Sequence, residues 1–331
     1  VLPPIPGLAE AAAWTNREAT TAKAVPDRLI VLGGGVVGVE LAQAWSSLGS
    51  KVTIVELAGR ILVREEPFAS EDVTAALVDQ GIDVRTGVLA VAAERVGAEV
   101  ILELQTGERL VADELLVAVG RRPVTDDLGL EAVGRQPGGF LTVDDQMRVG
   151  GSEWLYAIGD VNGRSLLTHM GKYQAWIAAE NILGNPLQVA TSAHGSLAPR
   201  VVFTDPQVAA VGHTLESALA AELDVVAIDH ATGGVAGGSF FGRRAAGTSR
   251  IVVDVTRDVI VGATFTGPDV AELLHGATVA IVGEVPIERL RHAAPAFPTR
   301  SEVWLRLLEK LEEERAAVSD DRRLTAVARR E

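Results

Sequence analysis

No cysteine occurs anywhere in the 331 residues. Structural disulfides, thiolate metal sites and a dithiol redox centre are therefore excluded from this stretch of chain. Positive charge is scarce as well: 30 Lys and Arg stand against 44 Asp and Glu, a formal balance of −14. That disfavours nucleic acid as a partner, since binding it depends on basic side chains neutralising phosphates. Anionic cofactors remain admissible, because local backbone donors rather than net charge hold them. No apolar run approaches the roughly 20 residues that a membrane-spanning helix requires, and Val1–Gly7 has no signal-peptide pattern. The default expectation is a cytoplasmic protein with no membrane partner. His169, His194, His213, His230 and His275 show no metal-ligand spacing, so no metal is expected.

What is present is an ordinary globular composition, 47% apolar and 22% charged, over a length suited to roughly two or three domains. Residues 1–25 contain no complete strand–helix unit and read as a connector entering a domain. Then come a strand (Arg28–Leu32), a glycine turn, a helix (about Val36–Leu48) and a second strand (Val52–Glu56). This βαβ unit is the element of a parallel sheet covered by helices, an α/β fold. A helix from near Ser70, a strand near Ile82–Arg85, a meander through Val100–Leu104 and Arg109–Val111, and a strand at Leu115–Val119 complete the region. From Arg122 to Pro199 the pattern loosens, with one buried strand (Trp154–Ile158) and one helix (Gly171–Leu183). Beyond Arg200 a strand pair (Ile251–Val255 and Val259–Phe265) precedes helices over Pro268–Val282 and Arg300–Ala316. Pro268 at a first helical position, followed by Asp269 and Glu272, is good helix-start chemistry. Gly233-Gly234 and Gly237-Gly238 read as a flexible loop. The charged, unpatterned segment 317–331 reads as a mobile tail.

The strongest motif is Gly33-Gly34-Gly35-Val36-Val37-Gly38. Gly33 permits a tight turn, Gly35 lets the backbone approach a pyrophosphate, and Gly38 permits close helix–strand packing. The helix start at Val36 and Val37 offers unpaired N–H groups and a positive dipole end to phosphates. Glu56 lies 23 residues after Gly33, close to the separation of about 20 at which a carboxylate meets a ribose 2′-hydroxyl. It would repel a 2′-phosphate, so NAD is expected over NADP, with Arg60 nearby as a residue able to blur that preference.

Five motifs in order resemble the pyridine nucleotide-disulfide reductases, the family of dihydrolipoamide dehydrogenase, glutathione reductase and mercuric reductase. Gly33–Glu40 looks like its NAD-domain fingerprint, and Val117–Pro123, containing Gly120, like the end of that domain. Leu155-Tyr156-Ala157-Ile158-Gly159-Asp160 resembles its second flavin motif. Phe203-Thr204-Asp205-Pro206 and Phe297-Pro298-Thr299-Arg300-Ser301-Glu302 resemble its dimerisation domain. The resemblance implies an NAD-binding Rossmann domain (26–121), the C-terminal half of an FAD domain (122–199) and an α+β dimerisation domain (200–316), the last forming a homodimer. It also implies that Gly159 and Asp160 meet the FAD ribitol, and that Thr168 and His169 present donors near the flavin pyrimidine. A plain helix cap is the alternative for the latter pair. Glu40, placed in the first turn of the dinucleotide helix, would sit near the nicotinamide and flavin rings, or merely complement the helix dipole.

Two departures qualify that resemblance. The family's own glycine-rich FAD-diphosphate fold and its paired cysteines precede the point at which this sequence starts. Weak or absent FAD binding by these residues alone is therefore expected. Phe297 stands where the disulfide reductases carry a histidine base, and phenylalanine cannot move a proton. Glu302, the usual partner of that histidine, has with Thr299 the spacing of a capping box. His292 is five residues upstream and would substitute only if the loop rearranged. The expected reaction is hydride transfer from NAD(P)H to FAD and on to an unknown small-molecule or protein acceptor. The alternative is a catalytically silent, NAD-binding, dimerising chain.

Overall fold

Residues Leu29–Leu32 are buried on both faces, the condition of a central strand in a parallel sheet. The computed structural model describes residues 2–328, and the side chains of all of these except 243–245 and 318–328. The chain divides into two compact units, Val1–Ala198 with Val202–Thr204, and Pro199–Val201 with Asp205–Glu331.

In chain order the first unit carries α1 (Asn16–Thr21), β1 (Arg28–Leu32), α2 (Val36–Ser47), β2 (Lys51–Val55), α3 (Pro67–Asp79), β3 (Asp83–Arg85), β4 (Ala90–Val96), β5 (Glu99–Leu104), β6 (Arg109–Ala112), β7 (Glu114–Val117) and α4 (Thr168–Ile182). The short α1 starts on a capping box between Thr15 and Glu18. Four strands form a parallel sheet in the order β3-β2-β1-β7. Side chains alternate across a strand, so Ile30 and Leu32 face opposite to Leu29 and Val31. Ile30 and Leu32 join Val55, Leu115 and Val117 in a core shared with the antiparallel meander β4-β5-β6, through Ala93, Val100, Leu102 and Leu104. The helices α2 and α3 bury Val39, Ala42 and Trp45, and Val73 and Leu77. Around α4 a separate core gathers Leu141, Val143, Met147, Val149, Ala157, Ile177 and Ala178.

The second unit carries β8 (Arg200–Val202), β9 (Gln207–Gly212), α5 (Leu215–Ala220), β10 (Val225–Ala231), β11 (Thr248–Asp254), β12 (Val259–Gly267), α6 (Leu274–Val282), α7 (Ile287–Leu290) and α8 (Glu302–Ala328). Its sheet runs β10-β11-β12-β9-β8. The middle strand β12 is buried along its whole length. Phe265 from this strand meets Trp304 of α8 edge-on at 5.6 Å, and Lys310 of α8 donates to the Asp229 carbonyl at 3.0 Å.

Several sequence expectations are corrected. Trp154–Ile158 is not a buried strand: it makes one isolated bridge, Arg148 to Tyr156, and Trp154 is 68% exposed. An apolar run becomes a strand only where a ladder partner lies alongside, and the run does not reveal the partner. Pro268 opens no helix. Asp269 takes a left-handed φ of 52°, a single 3₁₀ turn follows, and α6 starts at Leu274. The glycine-rich stretch near 233–238 is packed rather than open, because a Cβ at Gly237 would overlap the Thr299 backbone and one at Gly238 the Gly233 backbone. A 3₁₀ segment, Ala236–Ala245, follows with a break at Gly242. The segment from 317 on is helical to Ala328, while 329–331 lie outside the described residues. Extending a nucleated helix adds one bond for each residue fixed, and i,i+3 pairs such as Arg306–Glu309 and Arg315–Glu312 support its earlier turns.

The shared core of the first unit sets a measurable scale. Leu115→Ala, at a fully buried β7 position, is expected to lower stability by about 2–5 kcal/mol, read from the shift in chemical denaturation midpoint. A loss below about 1 kcal/mol would mean that the sheet and meander do not share one core.

Candidate functional site

The glycine turn sits where β1 ends. Gly33 has a φ of 109°, and a Cβ there would lie 2.7 Å from the Ala118 carbonyl oxygen. A side chain at Gly38 would overlap the Gly33 carbonyl oxygen, so α2 crosses the strand end only because Gly38 has none. At Gly35 the space is open, and no heavy atom lies within 4 Å of the point a Cβ would take. Gly35 caps α2 without a side-chain bond, which leaves the first amides of the helix, at Val36 and Val37, without intrahelical acceptors. These features fit a dinucleotide pyrophosphate: an open approach, oriented donors and a positive helix end. Gly120, in the loop after β7, has a φ of 143° and open space at its Cα.

Glu56 follows β2 directly and closes this turn from one side. Its Oε2 accepts from the Gly34 amide at 2.6 Å and its Oε1 from the Ala58 amide at 2.7 Å. The carboxylate is thereby fixed beside the glycine turn. Arg60 points away from the role of phosphate ligand. Its terminal nitrogens donate to the carbonyls of Leu62 (3.1 Å), Val63 (3.0 Å) and Glu65 (3.0 Å).

Glu40 lies one turn into α2, not in its first turn, so complementing the dipole is not its role. It is half-buried, and its Oε1 accepts from the Phe203 amide at 2.7 Å, within the same unit. Burial raises its pKa above the ordinary carboxylate range, and the Phe203 amide offsets part of that rise.

Gly159 and Asp160 form a 3₁₀ turn whose position is set by α4. A Cβ on Gly171 would lie 3.2 Å from the Gly159 Cα, so the two backbones nearly touch. Asp160 is exposed, with its Oδ2 3.3 Å from the Arg121 guanidinium. Thr168 and His169 do not precede the helix, as the sequence suggested, but begin it. The cap is Leu167, without a side-chain bond, so neither residue caps α4. Beneath this surface Gln174, fully buried, accepts through Oε1 from the Gly159 amide and from Asn162 Nδ2, both at 2.8 Å. Those two bonds fix the amide orientation, so its Nε2 donates to His194 Nε2 at 3.1 Å. A carboxylate beside an uncapped helix start, on a braced glycine turn, fits the polar end of a flavin.

The sequence reading missed Arg121, Phe203 and the Gln174–Asn162–His194 group. A signal for Gln174 was present, since it falls on the apolar stripe Met170, Gln174, Ile177, Ala178, where a buried polar group must find partners.

In the second unit Phe297 is 76% exposed. The capping box expected of Thr299 and Glu302 does not form. The Thr299 hydroxyl donates to the Ala296 carbonyl at 2.6 Å, and α8 begins at Glu302 itself. Glu302 is buried, and its Oε2 has no hydrogen-bond partner among the described residues. Arg300 lies over the Phe241 ring at 4.8 Å, and burial pulls its pKa down. Among the described residues no three potential metal ligands cluster, and no helix is long and apolar enough to cross a membrane.

The Gln174 network has a pH signature. Burial first, and then the Arg164 cation, hold His194 below its ordinary pKa. Its Nε2 must stay unprotonated to accept from Gln174. The unfolded chain takes up the proton near pH 6.5, so the stabilisation is complete above that pH. It is lost as pH falls from about 6.5 towards the depressed folded value. The thermal midpoint should drop across that window, and His194→Gln should flatten the drop. An unaltered pH slope in the variant would assign the effect to other groups.

Residues 1–181 match the family model described as pyridine nucleotide-disulphide oxidoreductase, and residues 198–307 match the dimerisation domain of the same family. The dihydrolipoyl dehydrogenase of Chlorobaculum tepidum is 37% identical over 293 residues, covering 87% of this chain and 61% of that protein. The mercuric reductase of Acidithiobacillus ferrooxidans is 34% identical over 303 residues, covering 90% and 53%. The solved structure of RclA from Escherichia coli, an HOCl-induced flavoprotein disulfide reductase, superposes with a TM-score of 0.83 at 26% identity, covering 93% of this chain and 71% of that one. The chain thus spans about three fifths or less of the length of these two curated relatives. Enzymes of this kind use FAD and NAD(P)H. With both family models matched in order, the chain belongs to the pyridine nucleotide-disulphide oxidoreductase family.

Proposed function

We propose that this chain is the NADH-binding, flavin-facing and dimerising part of a flavoprotein oxidoreductase that passes hydride from NADH to FAD and on to an acceptor. The observation that carries the reading is the glycine turn with its open approach at Gly35, bound on one side by the Glu56 carboxylate. The α2 start receives the pyrophosphate. Glu56 accepts from the adenosine ribose and disfavours a 2′-phosphate, and the use of Arg60 on its own loop supports NADH over NADPH. Bound flavin supplies the two-electron chemistry. Asp160, steadied by Arg121, orients its polyol. The α4 start, at Thr168 and His169, presents amides to its polar ring edge, where negative charge grows on reduction. Glu40, fixed by the Phe203 amide, orients the nicotinamide side of the site. Phe297 supplies no proton, so the acceptor is one that needs no acid–base side chain at that position. Residues 200–316 join two copies, in keeping with the match to the family's dimerisation domain.

Binding measured on the 331-residue chain tests this. NADH should quench the intrinsic tryptophan fluorescence saturably, and NADPH should bind at least about tenfold more weakly. Glu56→Ala should bring the two affinities together. Equal affinities in the wild-type chain would remove the role given to Glu56. FAD added to the same chain decides who completes the flavin site. Yellow protein bleached by NADH assigns hydride transfer to these residues alone, whereas colourless protein that binds NADH favours the catalytically silent reading.

A further inference from the structure

The loop between β2 and α3 is built as a brace on the glycine turn. Leu62 donates its amide to the Gly34 carbonyl at 2.9 Å. Ile61, fully buried, packs so tightly on Gly34 that a Cβ there would lie 2.6 Å from its Cγ2. On the other side of the same residue Glu56 takes the Gly34 amide. Gly34 is therefore gripped at both its N–H and its carbonyl by residues of one loop, and the N–H of Gly35 is aimed by that grip.

At its near limb the loop is tied by the Gly87 amide, which donates to the Ala58 carbonyl at 2.7 Å, and Ile61 and Leu62 are buried. Leu62 adopts a left-handed φ of 48°, a conformation that costs a non-glycine residue of order 1 kcal/mol. Leu57 and Val63 are exposed. Across the far limb lies Arg60, whose two terminal nitrogens reach three carbonyls, those of Leu62, Val63 and Glu65. A planar guanidinium suits this, because its fork of donors sets several acceptors at fixed spacing. The Glu65 amide adds a return bond to the Leu62 carbonyl at 2.9 Å.

We infer that Arg60 is a positioning residue for dinucleotide binding: by clasping the carbonyls of Leu62, Val63 and Glu65, it holds Leu62 and Ile61 against Gly34 and so sets the pyrophosphate-binding turn. The inference rests on the reading of residues 26–121 as the NADH site. The pyrophosphate is common to NADH and NADPH, so an indirect role through the turn acts on both alike. A direct role as a 2′-phosphate ligand acts on NADPH alone.

Dissociation constants of NADH and NADPH are measured for the full chain and for Arg60→Gln and Arg60→Lys, beside the thermal midpoint of each. The expected result is a rise of about tenfold in both constants for Arg60→Gln. Arg60→Lys, which keeps the charge but not the fork, should show a smaller common rise. Weakening of NADPH alone overturns the inference, as do unchanged constants in a folded variant. Should Arg60→Gln fail to fold, Arg60→Lys carries the same decision through its two constants. A wild-type chain that binds neither nucleotide refutes the underlying reading of the site instead, so the two failures are distinguishable.

Discussion

The fit of α2 over the end of β1 depends on a missing side chain at Gly38. Any Cβ there would overlap the Gly33 carbonyl, and the helix would have to lift away from the sheet. With the helix seated, its start points its amides over the strand ends, and Gly34 comes within reach of both Glu56 and Leu62. The sheet order β3-β2-β1-β7 brings Glu56, after β2, and Ala118, after β7, to either side of the same turn. One steric allowance thus orders the turn and the groups around it.

The segment around Gly159 and Asp160 is held by different physics. Its glycine turn is not the end of a strand in a ladder. It hangs on a buried amide, Gln174, whose oxygen accepts two bonds and whose nitrogen donates one to His194. Such a group rigidifies its surroundings when every partner is present and becomes costly when one is lost. The glycine turn after β1, by contrast, is fixed by steric contacts, by the Leu62 amide and by the Glu56 carboxylate on the Gly34 amide.

Much of this is legible in the sequence, and unevenly so. The strand Arg28–Leu32 is found with its expected limits, and the three glycines can be read for the parts they play in the turn, because short-range sterics leave few alternatives there. Trp154–Ile158 misleads because strand pairing is a property of a partner elsewhere along the chain. Thr299 and Glu302 match a capping pattern, yet the Thr299 hydroxyl turns back to the Ala296 carbonyl, a local partner that the spacing does not exclude. Pairings such as Arg121 with Asp160 and Arg60 with its own loop leave no period or spacing to read. Family membership is legible because five local motifs fall in order.

The bond from the Phe203 amide to Glu40 joins positions 163 residues apart. Closing so long a loop carries an entropic cost that must be met before the contact gives any return. During synthesis the parallel sheet can collapse as soon as β7 emerges, but the Glu40 carboxylate lacks its Phe203 partner until residue 203 has left the ribosome. At about 5–20 residues per second, this leaves an interval of several seconds in which the sheet is formed while Glu40 still lacks its amide partner.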